Sequence, residues 1–211
     1  MASEAGWDSE RDAYAAAAGW AVDLVAQVGD RWGEPGLGVW DVRALVGHLS
    51  RSFRTVAEYL ARPAASVAVP DAASYYRATA ELARQAGVAE RGVEAGRALG
   101  TDPAVAFAAL ADEARTIVDR CTGSELPTTI AGGIRLVDYL PTRTLELTVH
   151  GCDLAVALGL APAPPAVAAR RTLGLLTELA VRAGEDGGDV AGRVLLALTG
   201  RRAWEAGSSL L

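Results

Sequence analysis

The sequence contains no lysine; all twenty of its basic residues are arginine. We read this as the codon bias of a GC-rich coding sequence rather than as the mark of a site. Basic runs are also missing, and the formal net charge is −6. A protein that binds a phosphate backbone needs clustered positive charge, so nucleic acid is not an expected partner. No apolar run of spanning length is free of charge, and the opening "MASEAGWDSERDAY" lacks the basic and apolar regions of a secretion signal. These absences argue against a membrane-spanning or secreted class, and the protein is expected in the cytoplasm. Cysteine is scarce: Cys121 and Cys152 are the two, and no C-x-x-C pair exists for a zinc finger or a thiol-redox protein. Both read as small buried apolar residues. No H-E-x-x-H is present, which removes the common helical metalloprotease site. Internal repeats and low-complexity segments are likewise absent.

What is present is a globular composition, 51% hydrophobic and 22% charged over 211 residues. Helical periodicity runs through most of it. A first helix is predicted over Ser9 to Val28, with Tyr14, Ala17, Ala21, Leu24, Val25 and Val28 at core spacing. A second begins near Trp40 and buries Val42, Leu45, Leu49, Phe53, Val56 and Leu60. A third stretch covers Ala72 to Leu99, bent or interrupted at Gly87. The "TDP" at 101–103 supplies an N-cap and a first-turn proline for a helix from Pro103 to Cys121, stopped by Gly123. "LPTTIAGGIRLVD" reads as an extended or hairpin-like connection around Gly132-Gly133. The last main helix is expected to start at Asp138 as N-cap, with Pro141 in its first turn, and to close at Gly159. After "APAPP" come two apolar segments, Val167 to Ala183 and Val190 to Leu198, the second short enough to be a strand. The fold class is therefore all-α: a helical bundle with a long crossover before the last main helix and a small C-terminal appendage.

Only His48 and His150 carry imidazoles. His48 lies on the apolar stripe of the second helix, and His150 follows Glu146 by four residues, with Asp153 three further on. A helix advances roughly 100° per residue, so Glu146, His150 and Asp153 share one stripe. Glu146 and His150 could reach a single ion, and His48 from a facing helix could complete the set. Three protein ligands with one position open is a catalytic rather than a structural zinc arrangement. The spacing equally allows a satisfied core histidine and a surface Glu–His hydrogen bond, since E-x-x-x-H is a weak motif.

Two longer motifs add to this. "VWDVRALVGHLSRSF" and "YLPTRTLELTVHGCDLAVALG" strongly resemble the mycothiol-dependent maleylpyruvate isomerase family of the DinB-like superfamily. Their specific cores are W-x-V-R-x-L-V-x-H-L and R-x-x-E-x-x-x-H-x-x-D-L. The closing "VLLALTGRRAW" is similar to the tail of short members. The resemblance implies a DinB-like four-helix bundle over residues 1–161, with residues 162–211 as a helical extension packed on it within one structural domain. It implies a divalent metal, usually zinc, held by His48, Glu146 and His150. Asp153 matches the family's recurrent aspartate, placed to hold the outer ring nitrogen of His150 or to contact a bound thiol. Arg143 is placed to pair with Glu146, or to meet a substrate carboxylate. The chain departs from the family at Gly151-Cys152, where a large aromatic residue is common. Cys152 lies about 200° around the helix from His150 and should pack rather than ligate.

The function expected from this resemblance is a metal-dependent thiol enzyme. It would activate a low-molecular-weight thiol such as mycothiol for S-transfer to, or cis–trans isomerisation of, an electrophilic small molecule. The alternative is a metal-binding sensor or binding module without turnover, because function resides in the site and not the fold. A non-haem iron oxygenase also uses two histidines and a carboxylate, but the helical pattern argues against it. Partners are the thiol and the small electrophile, and the protein is expected as a monomer or homodimer.

Overall fold

The computed structural model describes residues 4–84, 87–185 and 189–204. The all-α expectation is met: eight α-helices, one 3-10 turn at Arg31–Gly33 and two two-stranded ribbons are the regular elements among the described residues. Helices α1 (Glu4–Val25), α2 (Val42–Leu60), α5 (Pro103–Asp119) and α6 (Leu136–Ala157) form the bundle. In it α1 and α2 each pack against both α5 and α6. Tyr14, Phe53, Phe107 and Tyr139 occupy its interior, with Phe53 and Phe107 edge to face at 5.2 Å between centroids. Tyr14, Phe53 and Phe107 are large side chains that the 3.6-residue periodicity assigns to inner faces, and Tyr139 joins them in the structure. Leu60, expected in the core, is only partly buried, near the end of α2.

Local chemistry sets most helix boundaries. Asp41 accepts the backbone N–H of Ala44 at 2.7 Å and starts α2. Asp102 caps α5 through Val105, ahead of Pro103, as the sequence predicts. That helix ends at Asp119, short of Gly123. Helix α6 begins at Leu136, earlier than expected. Asp138 is therefore no N-cap; it sits in the first turn, joined to Arg135 Nε at 2.6 Å, where a carboxylate suits the positive end of the helix dipole. Pro141 consequently falls inside the helix rather than in its first turn. The helix closes before Gly159, where Leu160 N–H reaches back to the Ala155 carbonyl.

The stretch from Ala72 to Leu99 is two helices, α3 (Ala72–Arg84) and α4 (Val88–Ala98), and residues 85 and 86 of that predicted span lie outside the described ones. Gly87, at φ 114°, starts α4 in a conformation other residues rarely adopt. The crossover before the last main helix, residues 120–135, carries the ribbon β3 (Thr128–Thr129) and β4 (Gly132–Gly133). Gly133 accepts from Ala68 and Val69 N–H, so the two long connections are laced together. A second ribbon, β1 (Pro35–Leu37) with β2 (Trp40–Asp41), leads into α2. Beyond the bundle, α7 (Ala166–Glu185) lies on α6 and α1, and α8 (Val190–Leu198) packs on α7. The segment 190–198 is thus a helix and not a strand. A strand would need a sheet edge, and its neighbour here is a helix. No described helix is long and apolar enough to cross a membrane.

Helix α4 approaches α2 unusually closely because both contribute glycine. A Cβ on Gly47 would lie 2.1 Å from the Gly96 backbone nitrogen, and one on Gly92 would lie 2.7 Å from the Trp40 ring. Neither backbone can give way without separating the helices. Gly47→Ala is expected to cost roughly 3 kcal/mol or more through overpacking. Gly19→Ala, whose Cβ meets nothing within 4 Å in α1, should instead stabilise by about 0.5–1 kcal/mol. Urea unfolding of the two variants checks the contrast; equal effects would show that α2 and α4 are not packed in this way.

Candidate metal centre

The pairing of α2 with α6 brings His48, Glu146 and His150 together, although 98 residues separate the first two. One donor atom from each lies within 4.8 Å of the others, a group that could hold a metal ion. Glu146 Oε2 is the hub, 3.4 Å from His48 Nε2 and 3.5 Å from His150 Nε2. The imidazoles meet edge to face at 4.7 Å between centroids. Their side chains remain 17% and 19% exposed, and Glu146 18%, so the cluster is sheltered yet reachable from solvent.

Each group is fixed from behind by a different interaction. His150 Nδ1 lies 2.9 Å from Asp153 Oδ2, one turn on along α6. In a neutral ring that bond would keep the proton on Nδ1 and free the Nε2 lone pair for an ion. His48 is held differently. Its ring stacks on Trp40 at 4.8 Å and 32°, while its Nδ1 is buried without a hydrogen-bond partner among the described residues. Trp40 is itself anchored by Nε1–H to the Ala89 carbonyl at 3.0 Å, across the glycine-lined contact with α4. Glu146 Oε1 accepts from the Tyr76 hydroxyl at 2.9 Å. The donor set of two nitrogens and one carboxylate oxygen suits zinc and its neighbours among the divalent metals.

Arg143 does not pair with Glu146. Its Nε donates to Thr142 Oγ1 at 3.0 Å, and its guanidinium lies over the rings of Tyr139 (5.0 Å) and Tyr75 (5.8 Å). The aromatic faces hold the cation where the sequence suggested a carboxylate would. Its positive charge still acts on Glu146 through space. Cys152 is outside the ligand group and, like Cys121, is a free thiol, half-buried rather than buried. Gly151 faces α1: a Cβ there would lie 2.4 Å from the Trp20 ring, which fills the space a side chain at 151 would need. Trp40 was within reach of sequence reasoning, since it opens the first motif. Tyr76 was not; it lies in α3, outside both motifs, and only the fold brings it to Glu146.

The electrostatics follow from burial and these contacts. Burial alone would raise the Glu146 carboxyl, but hydrogen bonds from His150 and His48 and the Arg143 charge hold it well below the usual carboxylate range. Burial dominates at His48 and depresses its pKa. At His150 burial is overcome by the bonds to Asp153 and Glu146, which push the imidazole up to about 9. Burial and the Glu146 charge raise the Tyr76 phenol well above its ordinary value.

With only two histidines, NMR titration can follow each imidazole in metal-free protein. One should titrate near 9 and the other below the ordinary value of about 6.5. A folded-state pKa raised in this way stabilises fully below about pH 6.5, and that stability is lost as pH rises through the folded value. Asp153→Asn should lower the upper titration and reduce this loss. Two titrations near 6.5 in wild type would contradict the pairing.

Residues 15–155, well over half of the chain, match the mycothiol maleylpyruvate isomerase N-terminal domain family. The matched segment contains His48, Glu146, His150 and Asp153 and stops before α7. No curated protein and no solved structure matches the chain. With two thirds of its length and all three donor residues inside the match, the chain belongs to the mycothiol maleylpyruvate isomerase N-terminal domain family.

Proposed function

We propose that this protein is a divalent-metal-dependent thiol enzyme in which His48 Nε2, Glu146 Oε2 and His150 Nε2 are the protein ligands. The observation that carries the reading is the convergence of those three atoms from α2 and α6 in a chain of this family. We take zinc as the resident ion and a mycothiol-like low-molecular-weight thiol as the cosubstrate. A divalent ion supplies Lewis acidity there and lowers the pKa of a thiol, ordinarily about 8.5, so that the thiolate exists at neutral pH.

The chain's own residues prepare the site for that chemistry. Asp153 keeps the proton of His150 on Nδ1, and Trp40 holds the His48 ring in place. The partial burial of all three donors limits competing water. The thiolate sulfur bonds to an electrophilic carbon of the second substrate, and the thiol proton passes to solvent. Where that bond persists, a leaving group departs with its electron pair or a solvent proton is taken up at the neighbouring carbon, and the outcome is S-transfer. Where addition turns an activated double bond into a single bond, with its electron pair taken up by the activating group, rotation about that single bond and expulsion of the thiolate restore the double bond, and the outcome is cis–trans isomerisation. No side chain in the cluster is a dedicated general base, which fits a nucleophile whose proton is lost to solvent once an ion lowers its pKa. We also read residues 1–161 and 162–211 as parts of one structural domain, because α7 shares buried side chains with α3 and α6.

Elemental analysis of untagged protein tests the site. Wild type should carry about one divalent ion per chain, matching three protein donors and an open fourth position. His48→Ala should lose it. Adding mycothiol to the cobalt-substituted wild type should change its visible spectrum, since one position is free for sulfur. Absence of metal even after zinc is supplied would reject the metal site. Cobalt bound with no response to thiol would leave a metal-binding protein without this chemistry.

A further inference from the structure

Glu146 has two carboxylate oxygens, and the structure treats them differently. Oε2 faces both imidazoles, whereas Oε1 accepts from Tyr76. The Tyr76 hydroxyl also lies 3.2 Å from the Thr142 carbonyl, one turn before Glu146 on the same helix. The phenol is thus bracketed between two acceptors of α6, and its single proton lies between them. An oxygen engaged in this way is turned from the cluster, leaving the other as the donor.

Tyr76 does not reach this position by its own helix alone. Its ring joins a second apolar cluster, apart from the bundle core, made by Ala72, Leu145, Leu175 and Leu179, with Val149 packed against it. Two of these residues belong to α7. Arg182 of α7 also grips the start of α3: Nη1 and Nη2 meet Asp71 Oδ1 and Oδ2 at 3.1 and 2.9 Å, and Nη1 reaches Ser74 Oγ at 3.1 Å. Asp71 in turn accepts the Ser74 N–H at 2.8 Å and so orders the first turn of α3. A two-pronged arginine–carboxylate contact is more specific in direction than a single one. The C-terminal helix therefore fastens α3 at one end and packs its middle where Tyr76 projects.

We propose that Tyr76 is a positioning residue that makes Glu146 a one-oxygen ligand, and that α7 holds Tyr76 in place. The inference rests on the metal reading above and extends it to a residue outside both motifs and to a helix outside the family match. It gives residues 166–185 a part in the site although none of them touches it.

Cobalt titration of the untagged, metal-free full chain tests both halves, with affinity and visible absorption as readouts besides activity. Tyr76→Phe keeps the ring and its packing and removes only the hydroxyl. It should weaken cobalt binding by about 10–100-fold, the usual effect of losing an outer contact to a ligand. It should also lower the absorption intensity, because a carboxylate free to offer both oxygens raises the coordination number. Thr177→Ala, on the exposed face of α7 and bonded only within that helix, should change neither readout. Arg182→Ala should shift both in the same direction, and should add little once Tyr76 is Phe. Tyr76→Phe with wild-type affinity and spectrum would overturn the positioning role. Arg182→Ala with wild-type behaviour would overturn the part given to α7. Should Tyr76→Phe fail to fold, Arg182→Ala, remote from the cluster, still decides through the spectrum. Failure of wild type to bind cobalt would instead strike the metal reading itself.

Discussion

A carboxylate held inside a helical bundle is the constraint around which this molecule is arranged. Glu146 sits where burial disfavours its charge, yet its surroundings keep it ionised. Two imidazoles approach one oxygen, a phenol donates to the other, and a guanidinium lies within electrostatic reach between aromatic faces. These partners come from α2, α3 and α6, so the arrangement exists only when α3 has folded back on the bundle. Removing one partner from such a network leaves the rest uncompensated, which is why buried polar groups of this kind act together rather than singly.

The close contact between α4 and α2 belongs to the same arrangement. Small residues at Gly47, Gly92 and Gly96 let the helices approach until Trp40 is caught between α4 and His48. An aromatic face backs the His48 ring, whose Nδ1 has no hydrogen-bond partner among the described residues. The site therefore uses two ways of holding an imidazole: a directional bond at His150 and a flat apolar surface at His48. The second depends on helix separation, so the glycines of α4 bear on the cluster from a distance.

Much of this was legible in the chain. The apolar stripes of α1, α2 and α5 follow helical periodicity, and Tyr14, Leu45, Phe53 and Phe107 are buried as that periodicity requires. His48, Glu146 and His150 stood out because spacing on one helix and scarcity of histidine both singled them out, and they do converge. The start of α6 was misplaced because Asp138 and Pro141 resemble a helix beginning, while the helix extends ahead of them without a side-chain cap. Arg143 was assigned a charge partner by helical spacing, but tertiary contacts gave it tyrosine faces. Tyr76 had no local signal at all: a tyrosine in a short amphipathic helix reads as packing until a distant carboxylate is brought beside it.

The contact between Gly151 and Trp20 bears on how the chain can vary. A side chain at position 151 and an indole at position 20 compete for one volume, with 2.4 Å where a normal contact needs more than 3 Å. Neither position can enlarge while the other stays as it is. A path of single substitutions from this sequence to one with a larger residue at 151 must first reduce Trp20, and the intermediate would carry a cavity between α1 and α6. The two positions, one next to a donor histidine and the other on a helix with no donor, are thus tied as a heritable pair. The shape beside His150 can drift only through a less stable ancestor.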